Sequence, residues 1–233
     1  VALKLIGIDA HLNVLSEFDP HNLQPGAINV YDPGALNITD VVVGQLDELA
    51  GEASMLYNRQ GAELAMTGQI HGLVTLPVTK ASTKLAGYDY PGQAEYFAKL
   101  AGNLPFTTIL IYRDFRAALF TTHMPLIEAC SMVNKDNLLN KIKYLHAKRL
   151  DLGFPNLRLA IASLNPHAGE SGTMGREEID EMEPAIEEAR AVGIDVDGPF
   201  PVNALISPPY DGRGYDLTLA LYHDQLVARL NQY

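Results

Sequence analysis

Hydrophobic positions in this chain alternate between strand-length runs and helix-length stripes. Leu12 to Phe18 and Ala27 to Tyr31 are short runs of strand-compatible residues. From Gln45 to Thr67, Leu46, Leu49, Ala53, Leu56 and Leu64 recur at helical spacing and predict a helix. Ile70 to Pro77 is an apolar run stopped by proline and predicts a strand. Gln93 to Ala101 reads as a helix, and Thr107 to Tyr112 and Phe115 to Thr122 as strands. The tight link at Arg113-Asp114 predicts that these two strands form an antiparallel hairpin.

A helix is expected from Asp136 to Leu150, with Asp136 as its N-cap. Then follow a strand from Leu157 to Leu164, a loop from Asn165 to Gly175 and a long helix from Arg176 to Val192. Glu177, Glu178 and Asp180 suit the positive end of that helix, and Gly193 is its expected stop. Asp216 to Tyr222 is the last strand. This order predicts an α/β fold whose sheets are mostly parallel, with one antiparallel excursion.

Length and charge narrow the function. A chain of 233 residues, 47% hydrophobic, can bury one large core or two modest lobes. The net charge of −11 argues against nucleic acid and anionic membrane as partners. No apolar run approaches the ~18 residues of a membrane span, and no signal peptide is evident. Cys130 is the only cysteine, so no intrachain disulfide can form. That fits a reducing cytoplasm, with Cys130 read as a small buried residue. The chain starts at Val1 in mid-pattern and without an initiator Met, from which upstream residues are expected.

Three histidines share one context. His123 follows the run Ala117 to Thr122, His167 follows Leu159 to Leu164 by an Asn-Pro step, and His223 follows Leu217 to Tyr222. Ligands of open α/β sheets bind outside the carboxyl ends of the strands. If the three strands are parallel neighbours, three imidazoles can meet in one crevice as a metal site with an open position. His11, His21, His71 and His146 lack this context and read as ordinary surface or loop residues. Asp224, next to His223, can orient that imidazole, bind the ion or contact substrate. Lys80 and Lys84 follow the run ending at Pro77, where a lysine can bind an acidic substrate or shuttle a proton. Gly169, Gly172 and Gly175 precede a helix start that could hold an anion, but Glu170, Glu177 and Glu178 weaken that reading. No Gly-x-Gly-x-x-Gly fingerprint is present.

At these residues the chain resembles the family of 4-hydroxythreonine-4-phosphate dehydrogenase, the PdxA family of pyridoxine (vitamin B6) biosynthesis. The resemblance is carried by Thr121-Thr122-His123-Met124-Pro125-Leu126, Leu164-Asn165-Pro166-His167-Ala168-Gly169-Glu170, Gly175-Arg176-Glu177-Glu178-Ile179-Asp180, Asp197-Gly198-Pro199 and Tyr222-His223-Asp224-Gln225. Weaker matches are Val74 to Lys80 and Tyr90 to Tyr96. It implies two α/β/α lobes of the isocitrate/isopropylmalate dehydrogenase kind. The expected lobes are 1–91, completed by a C-terminal helix at 226–233, and 92–225, which carries the histidines. It further implies a homodimer with a shared active site, NAD bound without a Rossmann fingerprint, and a divalent ion on His123, His167 and His223. The residues that bind NAD or NADP are left unassigned.

The resemblance also marks departures. Gln93 and Ala94 stand where the family usually has a His-Thr pair that contacts the phosphorylated substrate, and Asn203 stands at a usually acidic position. All three are expected to define which substrate fits. After Gln225 the family continues with a Gly and a substrate-binding Lys, whereas here Leu226 to Tyr233 reads as an amphipathic helix. From this, a segment missing after Gln225 is expected.

The expected reaction is NAD(P)-dependent oxidation of a secondary alcohol in a small acidic substrate, phosphorylated or not, with or without loss of CO₂. The ion would stabilise the forming alkoxide, and hydride would pass to the nicotinamide. Asp224 and Lys80 are the candidates for proton transfer or substrate contact. Imidazole ligands suit Zn²⁺, Co²⁺ or Ni²⁺ better than Mg²⁺, with Mn²⁺ also open. Two alternatives stand beside this reading: a three-histidine metal hydrolase, and a non-catalytic member that binds a sugar acid or metal.

Overall fold

The computed structural model describes residues 3, 6–34, 36–37, 40–42, 44–206 and 214–225. The chain forms two compact units, Val1–Pro105 and Phe106–Tyr233.

In the first unit, β1 (Leu12–Leu15) and β2 (Ile28–Tyr31) pair in parallel. Helix α1 (Glu48–Met66) starts at Asp47, whose side chain accepts from the Ala50 amide. It packs against α2 (Lys80–Leu85) and α3 (Gln93–Leu100). The strand expected at Ile70–Pro77 is absent. That segment has no hydrogen-bonded strand partner among the described residues, and Val74 and Leu76 are 95% and 80% exposed. An apolar run suits a strand, but a strand also needs a neighbour to complete its hydrogen bonds.

The division between units follows α3, whereas the sequence reading placed it at 91/92. Tyr96 on α3 explains the difference. Its ring is buried against Tyr88 and Tyr90, and its hydroxyl donates to the Met55 carbonyl at 3.4 Å. Residues 226–233, expected to complete the first lobe, and the step after Gln225 lie outside the described residues.

The second unit carries β3 (Ile109–Tyr112), β4 (Phe115–Leu119), β5 (Leu159–Ala162), β6 (Val196–Phe200) and β7 (Leu217–Ala220). They form one sheet in the order β3-β4-β7-β5-β6, parallel except for the β3–β4 hairpin. The expected antiparallel excursion is therefore present, turning at Arg113 with φ 52°. β6 is not evident in the sequence because Asp197, Gly198 and Pro199 are poor strand formers. They are tolerated because β6 is an edge strand, where a missing amide costs nothing in the ladder.

Helices α4 (Leu126–Met132) and α5 (Lys135–Ala147) follow β4. The cap of α5 is Asn134, whose side chain accepts from the Asn137 amide at 3.0 Å; Asp136 lies in the first turn instead. The helix expected from Arg176 to Val192 opens with a wide turn, Glu178–Met182, before α6 (Glu183–Ala191). Pro184 lacks the amide that a regular turn would need, and the wide turn accommodates the loss. Gly193 follows with φ 86°, as expected of a helix stop.

Packing follows strand alternation. Ala118, Leu159, Ile161, Leu217 and Leu219 face Leu138, Ile142 and Leu145 of α5 and Ala185, Ile186 and Ala189 of α6. The opposite face presents alanines, with Ala160 and Ala162 under Leu205 of α7 (Val202–Ile206). With both faces covered, β5 and β7 are buried at every residue. Cys130, expected to be buried, is half-buried on α4, and His146 lies half-buried on α5 rather than in a loop.

Candidate metal centre

Strands β4, β7 and β5 are adjacent and parallel, so the loops carrying His123, His223 and His167 leave the same edge of the sheet. Hydrogen bonds tie those loops together below the imidazoles. The buried Thr121 hydroxyl donates to the Leu221 carbonyl at 2.7 Å. The Leu221 amide donates to Gln225 Oε1 at 2.7 Å, and Gln225 Nε2 donates to the Ser163 carbonyl at 2.6 Å. Every segment that bears a histidine is thus bonded to the next.

The rings of His123 and His223 stand 5.5 Å apart between centroids. Two imidazoles on one tetrahedral ion, with metal–nitrogen bonds of about 2.1 Å, place their centroids about 5 Å apart. The pair therefore has the spacing of two ligands of one cation. Asp224 Oδ1 lies 2.8 Å from His223 Nδ1, which leaves Nε2 as the nitrogen available to a metal. The donor set at this pair fits a divalent cation such as Zn²⁺.

His167 is held differently. His167, Ala168, Gly169, Glu170 and Ser171 all have positive φ, between 43° and 76°. Four of the five are not glycine, and left-handed backbone costs such residues roughly 1–2 kcal/mol each. The loop puts the exposed His167 ring within 3.8 Å of Glu170, measured from Nδ1 to the carboxylate. His167 also lines a cavity of about 430 Å³ with Asn203, Tyr222 and Gln225. Among the described residues, no three His, Cys, Asp or Glu side chains stand within reach of one cation. The structure brings His123 and His223 together with Asp224; it does not gather His167 with them.

Beneath the loop lies Glu178, 1% exposed. Its Oε1 accepts from the Asn165 amide at 2.6 Å and its Oε2 from Asn165 Nδ2 at 2.9 Å. Asn165 Nδ2 also reaches Glu177 at 2.7 Å. The Glu177 carboxyl is held below the usual carboxylate range, first by its own backbone amide and then by Asn165. From the sequence, Glu178 reads only as a charge suited to a helix start. The available signal was its place three residues after the glycine-rich stretch, although spacing alone does not distinguish an inward carboxylate from an outward one.

Lys80 and Gln93 meet in the first unit, where they line a cavity of about 210 Å³ with Met55, Thr83, Tyr88 and Tyr90. The Gln93 amide is engaged on both sides: Oε1 accepts from Thr75 Oγ1 at 3.1 Å, and Nε2 donates to the Leu76 carbonyl at 3.2 Å. Ala94 is exposed and is not part of that lining.

Residues 2–231 match the family profile described as pyridoxal phosphate biosynthetic protein PdxA. The chain is 37% identical over 191 residues to a 4-hydroxythreonine-4-phosphate dehydrogenase of Aquifex aeolicus, covering 82% of this chain and 58% of that protein. It is 32% identical over 222 residues to a D-threonate 4-phosphate dehydrogenase of Pectobacterium atrosepticum, covering 92% and 68%. A crystal structure of 4-hydroxythreonine-4-phosphate dehydrogenase from Klebsiella pneumoniae superposes with TM-score 0.85 at 30% identity, covering 96% of this chain and 67% of that one. The chain thus spans roughly three-fifths to two-thirds of the length of these relatives. No helix among the described residues is long and apolar enough to cross a membrane.

Proposed function

The chain belongs to the PdxA family of pyridoxal phosphate biosynthetic proteins, and from that premise we propose a metal- and NAD(P)-dependent dehydrogenase that oxidises a secondary alcohol of a small phosphorylated hydroxy acid. The observation that carries this reading is the His123–His223 pair at the carboxyl edge of a parallel sheet, with Asp224 on the inner nitrogen of His223. When bound, the divalent ion supplies Lewis-acid stabilisation of negative charge on the substrate oxygen, and the nicotinamide accepts hydride.

The chain's own residues supply position and charge. His123 and His223 would hold the ion, and His167, which the structure leaves apart from that pair, would have to approach it to serve as the third ligand. Asp224 keeps the His223 ring oriented. Asn203, beside His167 in the cavity of about 430 Å³, helps select the substrate. Lys80 offers a cation for a phosphate or carboxylate, or a proton relay. Gln93 shapes the first unit's cavity around Lys80, with its amide already bonded to Thr75 and Leu76.

The protein is proposed to act as a homodimer in the cytoplasm, with the active site shared between protomers. The test is a panel of D-threonate 4-phosphate, 4-hydroxythreonine 4-phosphate and their unphosphorylated forms. Each is offered with NAD or NADP, with and without Zn²⁺, Co²⁺, Mn²⁺ or Mg²⁺. Metal-dependent appearance of reduced nicotinamide is the expected result. Turnover that needs the metal but no nicotinamide would identify a hydrolase instead, and ligand binding with no turnover a non-catalytic protein.

A further inference from the structure

We infer that Glu178 is the positioning residue for His167: its buried carboxylate anchors the left-handed loop that carries that imidazole. This rests on the proposed metal site, because it assigns Glu178 a purpose only if His167 is a ligand.

Glu178 is bonded to the loop on one side of His167 and lies close against it on the other. On the near side it takes both the backbone amide and the side-chain amide of Asn165. On the far side, a Cβ added to Gly169 would lie 2.9 Å from Glu178 Oε2 and 3.1 Å from the Gly175 carbonyl. The carboxylate therefore lies close enough that a side chain at Gly169 would collide with it. His167 lies between these two anchors, two residues from each.

The energetics require such an anchor. Successive left-handed residues cost roughly 1–2 kcal/mol apiece when they carry a side chain, and His167, Ala168, Glu170 and Ser171 are four of them. Strain of this kind persists only where the surroundings over-determine it. A carboxylate removed from water is itself costly unless it is hydrogen-bonded, and the Asn165 bonds answer that demand. The wide turn at Glu178–Met182 starts at this residue, so the local backbone departs from a regular helix where the carboxylate enters the core. A residue that merely filled space would be served equally well by an apolar side chain. The two bonds to Asn165 are what an apolar replacement would lose.

The experiment uses the full chain with Co²⁺ alone as probe and has two readouts. The first is a double-mutant cycle on Co²⁺ affinity between Glu178→Gln and His167→Ala. Glu178→Gln alone should weaken Co²⁺ binding at least tenfold, and adding it to His167→Ala should cost nothing further. Independent, additive losses would overturn the inference. The second needs no metal: imidazole signals of ¹⁵N-histidine-labelled protein, assigned with the three His→Ala variants. Glu178→Gln should shift or split the His167 signal and leave those of His123 and His223 in place. An unmoved His167 signal overturns the inference even if the protein takes up no Co²⁺, an outcome that would instead sink the metal reading. If Glu178→Gln fails to fold, Asn165→Ala goes through both measurements, because it removes one of the two bonds and leaves the backbone bond intact.

Discussion

The hydroxyl of Thr121 donates to the carbonyl of Leu221 across 2.7 Å, joining the end of β4 to the end of β7 inside the protein. Both partners are buried, at 4% and 0% exposure, so water cannot replace the bond. Thr121→Val keeps the shape and removes the donor. Leaving a buried carbonyl unpaired costs about 1–3 kcal/mol. Urea unfolding should show that loss as a lower midpoint with an unchanged slope. Because the same bond sets the spacing of the His123 and His223 loops, Co²⁺ affinity should fall as well. A variant with wild-type stability would show that the bond contributes nothing net.

Asp224→Asn tests the orientation of His223. The amide nearly matches the carboxylate in size, but it is uncharged and only its oxygen can accept from Nδ1, where Asp224 Oδ1 now does. Losses of 10- to 100-fold in metal affinity are usual when such an outer partner is removed. Calorimetric titration of the metal-free protein with Zn²⁺ should give a decrease in that range. An unchanged affinity would reduce Asp224 to a surface residue.

How far the sequence reveals this site depends on the kind of contact involved. The three strand–histidine runs were legible because a parallel strand buried on both faces is a short apolar run, and a ligand follows its carboxyl end. Their adjacency in the order β4-β7-β5 was a condition the sequence could state but not decide, since strand order depends on crossovers through distant segments. The Gln225 bonds to Leu221 and Ser163 and the inward turn of Glu178 were not legible at all. Nothing in a polar residue's identity says whether it faces water or a buried amide. The unpaired Ile70–Pro77 run and the Asp-Gly-Pro edge strand miss in opposite directions for one reason: hydrogen-bond partners, rather than residue preference, decide what becomes a strand.

Lys141 gives the stability a pH signature. Burial on α5 lowers its ammonium pKa from 10.5 to about 8. The unfolded chain therefore holds more protons than the folded one between those two values, and stability contributed by this group rises with pH across that window. Below about 8 the full penalty for burying the charge is present. Lys141→Met should thus stabilise the protein at pH 7, by well under the full equivalent of the shift because the ammonium is partly exposed and screened by water. The gap between variant and wild type should close as pH rises toward 10.5. Parallel stability curves over that range would mean that the ammonium reaches water.

Gly51 sets the closest approach of two helices in the first unit. A Cβ at this position of α1 would lie 2.1 Å from the Ser82 carbonyl oxygen and 2.9 Å from the Thr83 amide nitrogen, both on α2. Those are backbone atoms and cannot rotate away. In an isolated helix Gly→Ala gains about 1 kcal/mol from propensity, so the sign of the substitution here decides between propensity and packing. Forcing extra volume into a closed contact typically costs 1–3 kcal/mol, and contact with rigid backbone belongs at the upper end. Gly51→Ala should therefore be net destabilising by about 1–2 kcal/mol. It should also push α2 away and disturb the cavity where Lys80 and Thr83 meet Gln93. Thermal unfolding gives the first quantity. The second is read by hydrogen exchange of the α2 amides, which should quicken in the variant while those of β5 and β7 keep their protection. A variant as stable as the wild type would mean that the two helices separate at little cost, and that the cavity around Lys80 is not fixed by this contact.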